Sequence, residues 1–540
     1  MTKVSGSGFS RRQLLAGGAT LAGAAALPFA PASGQPVTRW HRYDVRSTEG
    51  KAMLRSYGKA VSAMLALPFT DPRNWYRVAL SHFLDCPHGN WWILPWHRGF
   101  TGYVEQIVRQ FSGDPNFAFP YWDWTDSPDI PAGMTGFLDP RSFVAWPDLN
   151  AFRAAVDPAL AKASYWTDAG QLQQLTLRQM QTRDAMWTEM EGCYFPKQRA
   201  RSPRRSRDCV TASAVSQPMI DVALAPQDFM TFGSPTAQHH SDHVGSGTLE
   251  GQPHNKIHNN VGGIVYKGTI GQCDRYSYQD LNGFMQANLS PVDPIFFLHH
   301  SNLDRLWDKW TRAQDAHNLP VVPPGPSQGQ PVDYYAAWTS EPFLFFVDAA
   351  GNRSAKNRAG QFVAIDAFDY DYRTGSGVPG LEAMMAAPIV RARPPVRRFD
   401  GGDSDGLEST ASAAAVRIVP DLIQASQSRD VQGVFAKITL TIPSPDNGRE
   451  FPVFVHTGDP SKSVEAGSIS VFGSHHHAAG LKTFVVPVGS AIAALARRKA
   501  LPLGGLLYFR VLAPPPPAPR NGRRAAPRDL PIQSVVVEAH

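Results

Sequence analysis

Cysteine is scarce in this chain: four in 540 residues cannot build a disulfide framework. A large charge of one sign is missing as well. The formal net charge is +6, but Lys3, Arg11 and Arg12 lie in a leader that contains no acid, and without them 6 − 3 = +3 remains. So small an excess argues against nucleic acid or an anionic membrane as a partner. Long apolar runs are missing too. The N-terminal stretch up to Phe29 is too short and too rich in Gly and Ala to span a bilayer well, which argues against stable membrane insertion. What the chain does have is apolar and aromatic: 43% hydrophobic residues, 13 Trp and 29 Phe. That is enough for a sizeable core, and the length suits two or three domains.

The leader has an address of its own. Ser10-Arg11-Arg12-Gln13-Leu14-Leu15, the apolar run to Phe29 and Ala30-Pro31-Ala32 read as a twin-arginine export signal with an A-x-A cleavage site over residues 1–32. Export to the periplasm or beyond is expected, by a route that carries proteins already folded and often already loaded with cofactor.

Beyond the leader the texture changes twice. Residues 36–330 read as a mainly helical domain with long loops. The stretch from Glu49 to Leu67 and the one following His97 carry apolar residues at helical spacing. Residues 331–412, after the proline-rich 320–331, read as a connecting segment. From 413 to 540, short runs rich in Val, Ile and Phe predict a β-sandwich-like domain. The basic run Lys197–Arg207, between Cys193 and Cys209, reads as a solvated insertion that a Cys193–Cys209 disulfide would close, with the pairing among Cys193, Cys209 and Cys273 left open.

Histidines gather in two regions. Glu250-Gly-Gln-Pro253-His254-Asn255-Lys-Ile-His258 sets two imidazoles four residues apart, hence on one helical face and able to share a metal ion. Pro253 marks the helix start, and the glycines after Val261 mark its stop. Upstream, His82, His88 and His97 fall within sixteen residues among Trp and Phe. Buried imidazoles need partners, so a metal pocket is expected there. Further on, of the adjacent His299 and His300 only one can point into such a site from a helix, and Asp304, four residues past His300, can reach an imidazole and orient it. His239, His240 and His243 read as rim or surface, and His475-His476-His477 as an exposed turn.

Taken together, His88…Leu94-Pro-Trp-His97-Arg and His254-Asn-x-x-His258…Asp293-Pro-x-Phe-x-x-His299-His300-x-x-x-Asp304-Arg-x-Trp307 resemble the copper A and copper B motifs of the type-3 copper family: tyrosinases, catechol oxidases and haemocyanins. The resemblance implies a four-helix bundle and two copper ions. Copper A falls to His82, His88 and His97, with His41 as the alternative to His82. Copper B falls to His254, His258 and His300, with His299 and Asp304 behind the ligands. Cys86-Pro-His88 is similar to the family's Cys–His thioether. Phe451–His456 and Glu465–His475 resemble, more loosely, the β-rich shielding domain of plant polyphenol oxidases, which covers the copper entrance.

The same resemblance implies chemistry on small phenols with O₂: ortho-hydroxylation of monophenols such as tyrosine and oxidation of o-diphenols to o-quinones, as in melanin formation. A phenol titrates near pH 10, so a nearby base helps. Glu250 and Asn255 match the family's pair that holds a proton-accepting water. Two alternatives stay open: a catechol or o-aminophenol oxidase without useful hydroxylation, and an O₂-binding copper protein. A second copy of the chain and a copper-delivering chaperone are further partner candidates. Ala287 or Asn288 is expected to leave the copper A side open.

Overall fold

The structure, a computed structural model, describes residues 39–125, 129–192, 201, 208–269, 272–280, 282–325, 332–376, 396–400, 414–427, 433–442, 450–473, 480–514 and 526–540. The export signal, Cys193 and the three consecutive histidines at 475–477 lie outside these residues. No helix among the described residues is long and apolar enough to cross a membrane.

Strand β1 (Trp40–Tyr43) leads into α1 (Thr48–Leu65), which Ser47 caps by accepting the Gly50 amide. Tyr57, Ala60, Val61 and Met64 form its buried stripe, at the spacing a helix requires. Helix α2 (Trp75–Asp85) starts on the Asn74 cap and is buried along its whole length. Helix α3 (Ile93–Ser112) stops at Gly113, whose positive φ is the usual helix terminator. Helix α4 (Asn255–Val261) continues directly from a π-helical turn, Glu250–His254. Helix α5 (Ile295–Ala316) opens where the Asp293 carboxylate accepts the Ile295 amide. Trp75, Trp96, Phe296, Phe297 and Trp307 lock these helices into one core.

Three expectations need correction. The basic insertion is not wholly solvated: Arg201 is buried and forks onto Asp293 at 3.0 and 2.8 Å from its Nε, so it braces the start of α5. Its charge complements a carboxylate that its sequence neighbourhood does not contain. The disulfide joins Cys209 to Cys273, not to Cys193, and ties the hairpin of β3 (Val265–Thr269) and β4 (Gln272–Gln279) to the chain before it. The segment after 330 is not simply a connector. Trp338, Phe343, Phe346 and Phe362 complete the helical core, and β5 (Tyr370–Arg373) pairs in parallel with β1. Aromatic residues at irregular spacing gave no periodic signal there, yet each finds a slot in the core.

The C-terminal unit is a sandwich of two five-stranded sheets. One runs β10 (Val464–Ser470), β9 (Glu450–His456), β12 (Leu506–Ala513) and β13 (Arg528–Leu530), with β7 (Ala414–Arg417) also on β12. Leu507, Phe509, Val511 and Ala513 alternate inward along β12, as a one-sided core demands. The other sheet runs β2 (Gly245–Ser246), β11 (Leu481–Pro487), β8 (Val434–Thr441), β14 (Ile532–Ala539) and β6 (Arg397–Asp400). Its first strand belongs to the helical unit, so one sheet crosses from unit to unit. Gly245, at φ 143°, permits this, because a Cβ there would collide with the Thr483 carbonyl.

Beneath α5, Asp304 accepts Arg98 Nε at 2.6 Å, Arg42 Nη1 at 3.1 Å and the hydroxyls of Tyr370 and Tyr372. All of these groups are buried except Tyr372, which is partly so. Asp304→Asn removes a charge that two buried guanidinium groups share, and is expected to cost about 3–5 kcal/mol in urea unfolding. Tyr372→Phe is expected to cost about 1 kcal/mol. Equal losses from the two would show that the ion cluster does not carry the packing.

Candidate metal centre

Helix α2 aims His82 inward, α3 aims His97 at it, and the Cys86-Pro87 turn folds His88 back between them. One ligand atom from each of His82, Cys86, His88 and His97 falls within 4.8 Å of the others. The six-residue gap between His82 and His88 is therefore spanned by the end of α2 plus a tight turn. His41 is elsewhere, with its Nδ1 2.6 Å from Asp371. His254 and His258 form the second group with His299 and His300, again within 4.8 Å. Both adjacent histidines thus converge on the site, against the expectation that only one would. His300 stacks flat on His97, with ring centres 4.0 Å apart, and so joins the two groups. The π-turn ending at His254 widens the backbone just where the helix meets the site.

The ring tautomers follow from the partners. A carbonyl only accepts, so the Nδ1–H groups donate: His82 to Asn288 O at 2.7 Å, His97 to Ile93 O at 2.7 Å, and His258 to Met285 O at 2.8 Å. His254 Nδ1 meets Asn255 Oδ1 at 2.8 Å. Each Nε2 lone pair then faces the shared volume, the arrangement that metal-binding imidazoles adopt. His254 Nε2 and both nitrogens of His299 have no hydrogen-bond partner in the protein. Burial holds His88, His97, His258, His299 and His300 well below the ordinary imidazole value, and His254 at about 4. Neutral, converging, under-partnered imidazoles are a donor set that fits copper. Cys86 fits it less well as a ligand, because burial pushes the thiol well above its usual range. Its Sγ is 3.6 Å from each ring nitrogen of His88, on the plane that contains the carbon between them.

Around this centre the structure assigns several residues different work from that expected. Asp304 makes its hydrogen bonds to arginines and tyrosines, not to His300, because two buried cations lie closer to it. Asn288 supports His82 through its carbonyl, and Ala287 is buried beside it. His240 is no rim residue: it is fully buried between Asp85, 2.9 Å away, and Glu341, 2.7 Å away. Burial alone would lower its pKa, but the two carboxylates outweigh that and raise it. His239 is exposed, while His243 lies against Gly89. Glu250 accepts the Gly89 amide at 2.6 Å and the Ser234 hydroxyl, and burial raises its carboxyl to about 8. It also lines a cavity of about 20 Å³ with His97, His254, His300 and Arg98, room for roughly one water.

The residue the sequence did not single out is Phe472. Its ring stacks on His258 at 4.1 Å and stands edge-on to His88 at 4.8 Å. Gly473 follows with positive φ, and a Cβ there would collide with the His88 ring. The C-terminal unit therefore packs a phenyl ring against the histidine cluster. Only a Val-Phe-Gly at the end of a strand hinted at it.

A metal-free protein should carry the imprint of these dry imidazoles. Unfolding returns His254 from about 4 towards 6.5, so the unfolded chain takes up a proton that the folded one refuses. Stability of the chelated protein should fall as pH drops from 6.5 to 4, by roughly 3 kcal/mol from His254 alone. Denaturant midpoints at a series of pH values measure this, and a flat profile would place the rings in water.

A family model described as the common central domain of tyrosinase matches residues 35–313. Among curated proteins, (+)-larreatricin hydroxylase of Larrea tridentata is 27% identical over 279 residues, 48% of this chain and 39% of its own length. A polyphenol oxidase of Malus domestica is 27% identical over 275 residues, 47% of this chain and 37% of its own. The chain thus spans well under half the length of the curated relatives it matches. The structure of latent apple tyrosinase shares the fold, with a TM-score of 0.52 at 18% identity over 94% of this chain and 98% of that one. A recombinantly expressed latent aurone synthase gives 0.50 at 17% identity over 95% and 91%. The expected helical core with a β-rich C-terminal region is the architecture found. With two histidine groups able to hold metal, and the family's central domain filling more than half of its length, this chain belongs to the type-3 copper tyrosinase family.

Proposed function

We propose that the chain is an exported copper phenol oxidase of tyrosinase type. His82, His88 and His97 hold one copper, and His254, His258 and His300 the other. The observation that carries this is the convergence of neutral Nε2 atoms whose Nδ1 partners are fixed by carbonyl and amide oxygens. When bound, the copper pair supplies activated dioxygen for ortho-hydroxylation of monophenols and two-electron oxidation of o-diphenols. The protein binds the ring, orients it and moves its proton. The phenyl ring of Phe472 marks where an aromatic substrate lies, against His258. Glu250 and the water-sized cavity beside it supply a proton acceptor, and a carboxyl near 8 is well matched to a phenol at slightly alkaline pH. The Asn255 side chain orients His254. The name of one relative, a hydroxylase, supports the hydroxylating reading. The buried Cys209–Cys273 disulfide supports export to an oxidising compartment. The C-terminal unit acts as a shield over the entrance.

One observation favours a second reading, diphenol oxidation alone: both Glu250 oxygens and the Asn255 amide are already engaged in this conformation. Copper content measured together with a panel of tyrosine, catechol and o-aminophenol separates the readings, and a protein that binds O₂ reversibly without turnover defeats both.

With the C-terminal unit displaced from the site, Glu250→Gln and Asn255→Leu are expected to lower tyrosine hydroxylation at least tenfold more than catechol oxidation. In the protein so opened the ratio of the two activities should rise with pH towards about 8, as Glu250 loses its proton, and Glu250→Gln should flatten that rise. Equal losses in both reactions would remove the pair from proton transfer. Cys86 is expected to form a thioether with the His88 ring carbon, losing two hydrogens to a two-electron oxidant such as the cupric pair. Denatured, reduced, copper-exposed protein should then weigh about two mass units less than its Cys86→Ser variant predicts. A full-mass protein would end that assignment.

A further inference from the structure

The face of the copper B helix that turns away from the metal is not idle. Gln252, Asn255, Lys256 and Asn259 are spaced as neighbours on one helical face, and all four are buried. Each donates to the C-terminal unit. Gln252 Nε2 reaches Ser468 O at 3.2 Å, and Lys256 Nζ reaches Glu450 at 2.5 Å and Ser468 Oγ at 2.7 Å. Asn255 Nδ2 reaches Ser470 O at 2.8 Å, and Asn259 Nδ2 reaches Ser470 Oγ at 3.2 Å and Val471 O at 3.3 Å. Glu450 opens β9 and pairs with Ser470 in the ladder; the other contacts come from the end of β10, which runs on within two residues to Phe472.

Two separate atoms therefore meet the site from one strand. The Phe472 ring fills the entrance. The Ser470 carbonyl occupies the amide of Asn255, whose other end is held by His254. We infer that the docked C-terminal unit selects between the two phenol reactions, with Ser470 withholding Asn255 from the proton-accepting water while Phe472 bars the substrate. This rests on the proposed role of Asn255 in monophenol hydroxylation. Removing the ring alone leaves an opening the size of a phenol, yet keeps β10 seated and Asn255 tied, because the hydrogen bonds from Gln252, Lys256 and Asn259 do not involve the ring. Such a protein oxidises diphenols and hydroxylates monophenols poorly. Hydroxylation needs the strand lifted as well, and the Lys256–Glu450 ion pair is the contact to weaken for that.

The test uses the full-length, copper-loaded chain in three forms: parent, Phe472→Ala, and Phe472→Ala with Glu450→Gln. Hydrogen exchange of the segment 250–261 reports whether β10 is seated, independently of turnover. Phe472→Ala should keep the parent's protection and raise catechol oxidation at least tenfold, with little tyrosine hydroxylation. The double variant should lose protection and raise the ratio of hydroxylation to oxidation at least fivefold over Phe472→Ala. A single variant that already hydroxylates at the double variant's ratio, with protection intact, overturns the inference and leaves the hydroxylase reading standing. A double variant that loses protection and oxidises catechol, but never hydroxylates, overturns both. Should Glu450→Gln impair folding, Ser468→Ala in its place removes a hydroxyl that both Lys256 and Glu450 use, and the same two outcomes apply.

Discussion

Seven imidazole rings share one dry volume, and the carboxyl that borders it, Glu250, is raised by burial to about 8. That is the constraint on which the rest of the molecule depends. A buried imidazole left unbonded is costly, and a protonated one beside six neighbours is costlier still. The fold meets this by giving one nitrogen of His82, His97, His254 and His258 a backbone or amide oxygen and turning the other inward. Asn288, Ile93 and Met285 serve through their carbonyls, so these positions are fixed by backbone path rather than by side-chain identity. The inner nitrogens converge as a donor set that fits a metal with affinity for neutral nitrogen.

Charge is kept one layer out. Asp304 with Arg42 and Arg98 lies behind α5, and Asp85 with His240, Glu341 and Arg178 lies behind the Cys86 turn. Both clusters are buried and closely matched in sign. Each joins helices that hold histidines to chain remote in sequence: Asp304 to the tyrosines of β5 and to β1, Asp85 to residue 341. The helical unit cannot end at residue 330, because its ion pairs are completed by residues after that point.

The C-terminal unit is bound by more than contact at a mouth. A sheet shared through β2, a buried lysine on the helix that carries His258 and a phenyl ring among the imidazoles make it part of the same packed body. The ring of Phe472 and the hydrogen bonds to the helix of His258 come from neighbouring residues, so the two contacts are linked physically.

Much of this was legible in the sequence. Helical spacing placed His254 beside His258, aromatic-rich helical stripes marked α2 and α3 as core, and alternation of Val, Ile and Phe marked the sandwich. Local periodicity decides such features, and a sequence displays it directly. What it could not display were pairings across long separations: Cys209 with Cys273, Arg201 with Asp293, Asp304 with Tyr370 and Tyr372, Asn255 with Ser470. Each partner is chosen by where the chain has already folded, not by its neighbours in sequence. The adjacent His299 and His300 show the same limit, because an angle around an ideal helix does not fix where two long side chains finally converge. The sequence by itself determined which chemistry the chain is equipped for, since two histidine motifs of that kind suit little else. Only the tertiary structure decided what surrounds that chemistry: which oxygens hold the rings of His82, His97, His254 and His258, where the compensating charge lies, and that Phe472 of the C-terminal unit packs against His258 and His88. Burial and approach are properties of the packed chain, and they set the pKa of every group at the centre.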